Sequence, residues 1–323
     1  MADMTSSKLK LYLLESLNPF VNLAYENHLL RSHSENESQD QIILLWKSSP
    51  SIVMGKFQNP WVECRVKEIR DRGINLVRRQ SGGGCVYHDP GNLNYSFIGP
   101  RSHYDKSANA GIIVDALRSL GIRAFENQRH DLRVDHEGED YKISGCAFKE
   151  IRNSALHHGT LLMNADLDIL NKLLRSKFEA STALGVKSVR SNVINLFDIS
   201  NSLSEEKIKT SIQDSFGKYY KTDVEVLHIT EQDICMLPDM ISKISDTSSW
   251  QHIYGGTPKF SFKLNNIEVI SKYARIIQVS NDDKDLLDLV IDKTYYEENI
   301  LEKDKLSQKQ HDFINACHEV LFL

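Results

Sequence analysis

The stretch RRQSGGGCVYHD at 78–89 places three successive glycines, Gly82, Gly83 and Gly84, in a chain of 323 residues that uses only 16. A glycine run costs backbone entropy and weakens any strand that holds it. It makes sense where something must approach the backbone, or where the chain turns with no room for a Cβ. Converging N–H groups in such a turn can hold an anion. The spacing is neither GxxxxGK[ST] nor GxGxxG, and alone it fits a ligand-free turn equally well. The flanks add chemistry. Arg78 and Arg79 carry forked donors suited to a carboxylate or phosphate, Ser81 adds a hydroxyl, and His88 with Asp89 follows.

Three further clusters bear reactive side chains. In KISG at 142–145, Lys142 stands between strand-like residues and next to Ser144-Gly145. A cation fixed there could hold a phosphate or polarise a carbonyl, although a solvated strand lysine is the commoner case. In HHGT at 157–160, two adjacent histidines on a strand point to opposite faces and do not chelate one metal together. No HExxH or other compact ligand set occurs elsewhere, so the residues assign no metal site. Cys85 abuts the glycines and Cys146 lies four residues beyond Lys142. A thiol activated by a neighbouring cation could form a thioester; small apolar filler is the alternative.

The elements that must position these groups are those of an ordinary soluble chain. Hydrophobic residues make up 41% and charged residues 26%, enough for one large domain or two. A net charge of −5 argues against a protein held by nucleic-acid phosphates or anionic lipid. Five cysteines, an odd number without a CxxC pair, point to a reducing compartment. No apolar run is long enough to span a membrane. The N-terminal MADMTSSKLKLYLLESLNPF has two Lys, no Arg and two acids, so it reads as neither a secretory signal nor a good transit peptide.

Strands are predicted at 42–46 and 51–55 around the turn KSSP, and at 74–77 leading into the glycines. VYHDPGNLNYSFIG at 86–99 reads as a hairpin around DPGN, and 131–148 as a second hairpin around HEGED. Residues 156–167 read as a strand. Helical spacing covers 62–73, 105–120, 166–175 and 203–218, and the polar stretch 32–41 reads as an exposed loop. Strands and hairpins mixed with scattered helices imply an α+β fold with a mixed or antiparallel sheet. The Gly-Gly-Thr-Pro punctuation within 248–262 divides the chain into 1–247 and a small α+β unit at 248–323. That unit has strands in FSFKL, IEVIS and RIIQV and helices at about 283–293 and 305–321.

Taken together and in order, RRQSGGGCVYHDPGNLNYSF, YKISGCAFKE, HHGTLLMNADL and VRSNVINL resemble the lipoate–protein ligase A family, whose pattern is close to RRxSGGGxVxHDxGNxNxSF, KxSGxA and HHGTLL. SIVMGKFQNPWVEC and SWQHIYGGTPKFSF are similar to the mitochondrial lipoyltransferase branch, whereas HHGTLLMNADL and GVKSVRSNVINL are similar to the bacterial ligase branch. The resemblance implies a fold shared with biotin protein ligases: a central mixed sheet with flanking helices, plus a small C-terminal domain. It implies that lipoate and ATP, with Mg²⁺, form lipoyl-AMP. A lysine on a lipoyl domain of a 2-oxoacid dehydrogenase E2 subunit, or on the glycine-cleavage H protein, then displaces AMP. A transferase that takes lipoyl-AMP or a lipoylated protein as donor, with or without a cysteine thioester, is the alternative within the family, and a non-catalytic acyl-group binder the alternative outside it. A monomer without nucleic-acid or membrane partners is expected. The resemblance implies mitochondria, and the N-terminus leaves the cytoplasm as the alternative.

Carried over onto matching positions, the resemblance makes Lys142 the catalytic cation, touching both the acyl carbonyl and the phosphate. It sets Arg79 near the phosphate, with Ser81 in the same motif. It puts Gly82, Gly83 and Gly84 along the lipoyl tunnel, Cys85, Val86 and Tyr87 at nucleotide positions, and His88 near the acyl site. Arg129, Asp131 and Thr160 fall on the adenylate side, as do Val186 and Ser188 through their backbone. The physical sense is direct. Attack on a mixed anhydride builds charge on the carbonyl oxygen and on the departing AMP, and one fixed cation stabilises both. An enclosed tunnel keeps water from the anhydride.

Overall fold

In the computed structural model, residues 7–291 and 305–321 are described. The centre is a six-stranded mixed sheet in the order Cys146–Glu150, Ser154–Leu162, Asn92–Pro100, Gln41–Trp46, Leu9–Leu14, Val224–Ile229. The first four strands alternate antiparallel to one another; Leu9–Leu14 pairs parallel to Gln41–Trp46, and Val224–Ile229 parallel to Leu9–Leu14. The apolar run IILLW suits a strand covered on both faces. Ile42, Leu44 and Trp46 meet the helix Pro19–Glu35. Ile43 and Leu45 meet the opposite layer, formed by the helices Lys106–Ser119 and Glu205–Tyr220. This alternation is the period of two expected of a strand. The helix Pro19–Glu35 starts where Asn18 accepts hydrogen bonds from the N–H groups of Phe20 and Val21, with Pro19 in its first turn.

Three smaller sheets surround this core. Ser51–Met54 lies between Asn75–Arg78 (parallel) and Val86–His88 (antiparallel). Ala124–Glu126, Leu132–His136 and Glu139–Ser144 form a meander. Thr182–Ala183, Phe260–Leu264, Ile267–Lys272 and Arg275–Val279 form the C-terminal sheet. Trp61 stacks on Phe260 and lies beside Tyr254, both at 5.6 Å, so apolar packing is continuous from the Ser51–Met54 sheet into the C-terminal one.

The hairpin around HEGED is present, with Glu137 and Gly138 both at positive φ (54° and 82°), as a two-residue turn that follows the strand twist requires. Several expectations are corrected. DPGN does not close a hairpin: Val86–His88 pairs with Ser51–Met54, while Asn92–Pro100 belongs to the central sheet. The turn is held by Asp89, whose carboxylate accepts from the N–H groups of Gly91 and Asp166 and so hands the chain from one sheet to another. The strands flanking KSSP likewise enter different sheets. The helix at 62–73 is two, Pro60–Glu63 and Val66–Asp71, because Cys64 is extended (φ −143°, ψ 166°). The polar stretch 32–41 begins inside a helix, and His33 is buried between the Ser154 hydroxyl (2.7 Å) and the Asp40 carbonyl (2.9 Å). Within 283–293 only the 3₁₀ turn Lys284–Leu286 is helical among the described residues, and 292–293 lie outside them.

Candidate active site

Two chambers share a wall. The inner one, of about 180 Å³, is bounded by Leu23 of the helix Pro19–Glu35 and by the sheet residues Trp46, Asn94, Ser96 and His158. The glycine turn that follows Asn75–Arg78 closes its side with Arg79, Gly83 and Gly84. The outer chamber, of about 820 Å³, combines the polar and cationic Ser144, Asn171, Arg175, Arg190 and Asn192 with the apolar Leu162, Leu170, Leu174 and Val193. Cys85, Val86, Lys142, Gly145, Thr160, Ser188 and Val189 line both.

Lys142 stands at that junction by construction. It lies on Glu139–Ser144, its N–H donates to the Asn192 carbonyl (2.8 Å), and its own carbonyl accepts from Ile194 (3.3 Å). Its ammonium is 2.7 Å from an Asp131 carboxylate oxygen; the two side chains are only 20% and 11% exposed. A Cβ on Gly145 would sit 3.1 Å from Lys142 Cε and Nζ, so Gly145 leaves the space that the lysine occupies. The Gly145 N–H donates to the Thr160 hydroxyl (3.1 Å), which fixes the short connection after Lys142 to the strand Ser154–Leu162.

The glycine turn is held from inside. Arg79 donates from Nε to Ser81 Oγ (3.0 Å), from Nη1 to the Val53 carbonyl (3.1 Å), and from Nη2 to the carbonyls of Gly82 (2.6 Å) and Gly84 (2.7 Å). Burial pushes its guanidinium down to about 10, still fully charged at neutral pH. Gly83 has φ +85°, a conformation that only glycine adopts cheaply. Gly84 packs on Ser188, whose hydroxyl accepts from the Cys85 N–H (2.8 Å) and donates to Glu63 (2.5 Å).

Behind this wall lies a buried polar chain. Ser81 Oγ and His158 Nε2 are 2.7 Å apart, His158 Nδ1 is 2.9 Å from Glu26, and the Ser96 hydroxyl donates to Glu26 (2.6 Å). Burial alone would raise the Glu26 carboxyl, but His158 and the Ser96 hydroxyl more than offset it, so it is held below the usual carboxylate range. His88 is different. Burial, reinforced by Arg79 and His158, pushes it down to about 3, so it is a neutral imidazole at physiological pH. Its Nδ1 has no hydrogen-bond partner among the described residues, and its ring meets Trp46 edge-on at 5.6 Å.

Of the residues singled out in the sequence, Arg79, Gly83, Gly84, Cys85, Val86, His88, Arg129, Asp131, Lys142, Thr160 and Ser188 all face the inner chamber, and Tyr87 faces the outer one. Ser81 acts one step back, through His158. Gly82 and Val186 line neither chamber; a Cβ on Gly82 would meet nothing within 4 Å, and Val186 is tied by its carbonyl to Gln58 and by its N–H to Phe57. Arg78 turns away and binds the carbonyls of Ile253, Gly55, Lys56 and Gln58. The sequence reading missed Glu26, Trp46 and Ser96. The available signal was weak: a single carboxylate beside Leu23, Ala24 and Tyr25 in VNLAYENHLL, which needs a partner if that face is buried. The thiols supply little chemistry. Burial, with Asp131 nearby, pushes the Cys146 thiol up to about 12, and its Sγ donates to the His130 carbonyl (3.1 Å). Among the described residues no group of three or more His, Cys, Asp or Glu is placed to hold a metal.

The arrangement joins a small inner chamber of mixed lining to a larger outer one that carries Arg175 and Arg190, with Lys142 where they meet. Comparison with known proteins gives the family. Residues 18–217 match the family model described as the lipoyl protein ligase A/B catalytic domain. The chain is 37% identical over 258 residues to the lipoate-protein ligase A of Bdellovibrio bacteriovorus, covering 80% of this chain and 75% of that one. Among solved structures, P. falciparum LipL1 in complex with lipoate superposes with a TM-score of 0.67 at 27% identity, covering 97% of this chain and 99% of that one. A lipoate-protein ligase A bound with ATP gives 0.61 at 25% identity, covering 75% and 98%.

Proposed function

Because this chain belongs to the lipoyl protein ligase A/B family, we propose that it is a lipoate–protein ligase that works through a lipoyl-adenylate. The chain is an enzyme with the α+β fold of that family. The acyl chain of lipoate enters the inner chamber, and ATP lies in the outer one. Carboxylate attack on the α-phosphorus forms the mixed anhydride and releases pyrophosphate. The ε-amine of an acceptor lysine then attacks the carbonyl carbon, and AMP leaves. The acceptors are lipoyl domains of E2 subunits and the H protein.

The observation that carries this reading is the position of Lys142, whose ammonium faces both chambers from one fixed pose. One cation there meets the carbonyl oxygen and the phosphate together, where charge grows in both half-reactions. Asp131, 2.7 Å from its ammonium, holds the side chain in that pose. Arg79 acts by shaping the glycine turn, its donors being spent on Gly82, Gly84, Ser81 and Val53. Among the described residues the outer lining offers no carboxylate to ligate Mg²⁺, so the ion would enter with the nucleotide, its ligands being substrate phosphates and water.

The test is mass spectrometry of an apo lipoyl domain after incubation with the enzyme, lipoate, ATP and Mg²⁺. Lipoylated domain supports the ligase. Product from supplied lipoyl-AMP but none from lipoate and ATP assigns the chain to transfer alone.

A further inference from the structure

Three large apolar side chains that line neither chamber stand out of the surface: Phe57 (53% exposed), Leu184 (64%) and Tyr273 (54%). They come from three separate segments, yet they rim one concavity of about 680 Å³. Lys56, Lys259 and Lys272 share that rim, and among the described residues its lining contains no carboxylate, although the chain as a whole carries −5. Lys56 lies over the Phe57 ring (5.4 Å) and Lys272 over Tyr273 (4.9 Å).

The base under this rim is rigid. The buried Arg78 donates to the carbonyls of Lys56, Gln58 and Ile253, joining the first segment to the third. The Leu184 N–H donates to the Lys259 carbonyl (2.9 Å), and the Tyr273 N–H to the Thr257 carbonyl (2.9 Å). Exposed aromatic and aliphatic groups on a fixed frame cost little to order on binding and are the usual anchors of an interface. Lysines around them attract and orient an acidic partner.

The rim also leads to the reacting groups. The Val186 N–H donates to the Phe57 carbonyl (3.3 Å), and two residues on Ser188 and Val189 line both chambers. A partner seated on the rim therefore lies one short segment from Lys142. We propose that the Phe57–Leu184–Tyr273 rim docks an acidic face of the acceptor domain and presents that domain's lysine to the chambers. The proposal rests on the ligase reading for the partner's identity, but its test reads binding itself.

The probe is a purified apo lipoyl domain of acidic isoelectric point, titrated calorimetrically into the full chain. Two variants are compared with the unaltered protein: Phe57→Ala/Leu184→Ala/Tyr273→Ala and Lys259→Glu/Lys272→Glu. Lipoyl-AMP formation without acceptor is measured alongside and is expected to stay within about twofold, since none of these side chains faces the chambers. The expected result is a Kd raised at least about tenfold in each variant, with the salt dependence of binding reduced in the charge-reversed one. Binding equal to that of the unaltered protein in both variants overturns the proposal. So does equal competition by an unrelated acidic protein or a short single-stranded RNA, which would make the rim a general anion surface. Loss of lipoyl-AMP formation by the unaltered protein would refute the ligase reading separately.

Discussion

Replacing Gly55 by Ala tests whether the glycine turn is set by its surroundings. Gly55 follows the strand Ser51–Met54, and a Cβ built on it would sit 2.2 Å from the Gly83 carbonyl oxygen and 3.1 Å from that of Gly82. The obstacle is backbone, so no side chain can swing away. Restoring even 3.0 Å requires the Gly83 carbonyl to retreat by about 0.8 Å. The neighbouring carbonyls of Gly82 and Gly84 both accept from Arg79 Nη2, at 2.6 and 2.7 Å. A displacement of that size breaks or stretches at least one of them. A hydrogen bond to a charged donor contributes about 1.5–3 kcal/mol, and the strained backbone adds about 1–3 kcal/mol. The expected loss is thus about 2.5–6 kcal/mol, or a fall in Tm of about 4–9 °C. The inner chamber deforms with the turn, and a misplacement approaching 1 Å can cost on the order of 100-fold in turnover. Urea denaturation and lipoyl transfer to an apo domain measure the two effects. The matched control is Gly82→Ala, where a Cβ meets nothing within 4 Å and the backbone lies outside the left-handed region; it is expected to lie within about 0.5 kcal/mol of the unaltered protein. If Gly55→Ala matches that control in both assays, the turn yields freely and the argument for its rigidity is wrong.

Lys142→Ala should lower transfer by about 100- to 1000-fold while lipoate affinity, measured calorimetrically, changes far less, because the acyl chain is held by the inner chamber. Acid should destabilise the fold through its neutral buried histidines. His88 and His157 are both pushed down to about 3 from 6.5 by burial, so the unfolded chain takes up protons first as pH falls. Their contribution is complete above about pH 6.5 and is lost between there and about pH 3, at about 2 kcal/mol each by pH 5. Urea denaturation at pH 7 and pH 5 reads this loss. His157→Phe, in a site bounded by the rings of Phe148 (4.6 Å) and Phe97 (6.0 Å), should flatten part of it. Cys146→Ser should keep transfer activity within about threefold, since a thiol pushed up to about 12 offers almost no thiolate at neutral pH; a loss of 100-fold or more would restore the thioester route.

How much of this was legible in the sequence depends on how far apart along the chain the cooperating residues lie. KISG and HHGT could be read because each packs its chemistry into four consecutive residues on a strand. Glu26, Trp46 and Ser96 could not, because they come from a helix and two strands that meet only after the central sheet has formed. DPGN misled for a related reason: turn residues specify that the chain reverses, not which strand it then pairs with, and here Asp89 binds Asp166 instead of completing a ladder. The parallel strand Val224–Ile229 was invisible because its residues are half-buried or exposed and show no apolar alternation. The two arginines show the limit most sharply. Adjacent residues leaving a strand point to opposite sides, so the sequence alone implies that Arg78 and Arg79 serve different places. Which one faces the glycines is decided elsewhere, by the carbonyl of Ile253 and the hydroxyl of Thr257, which bind Arg78 from some 175 residues downstream. With Arg78 captured there, only Arg79 is left to brace the turn. The C-terminal segment therefore takes part in shaping a chamber that its own side chains do not line.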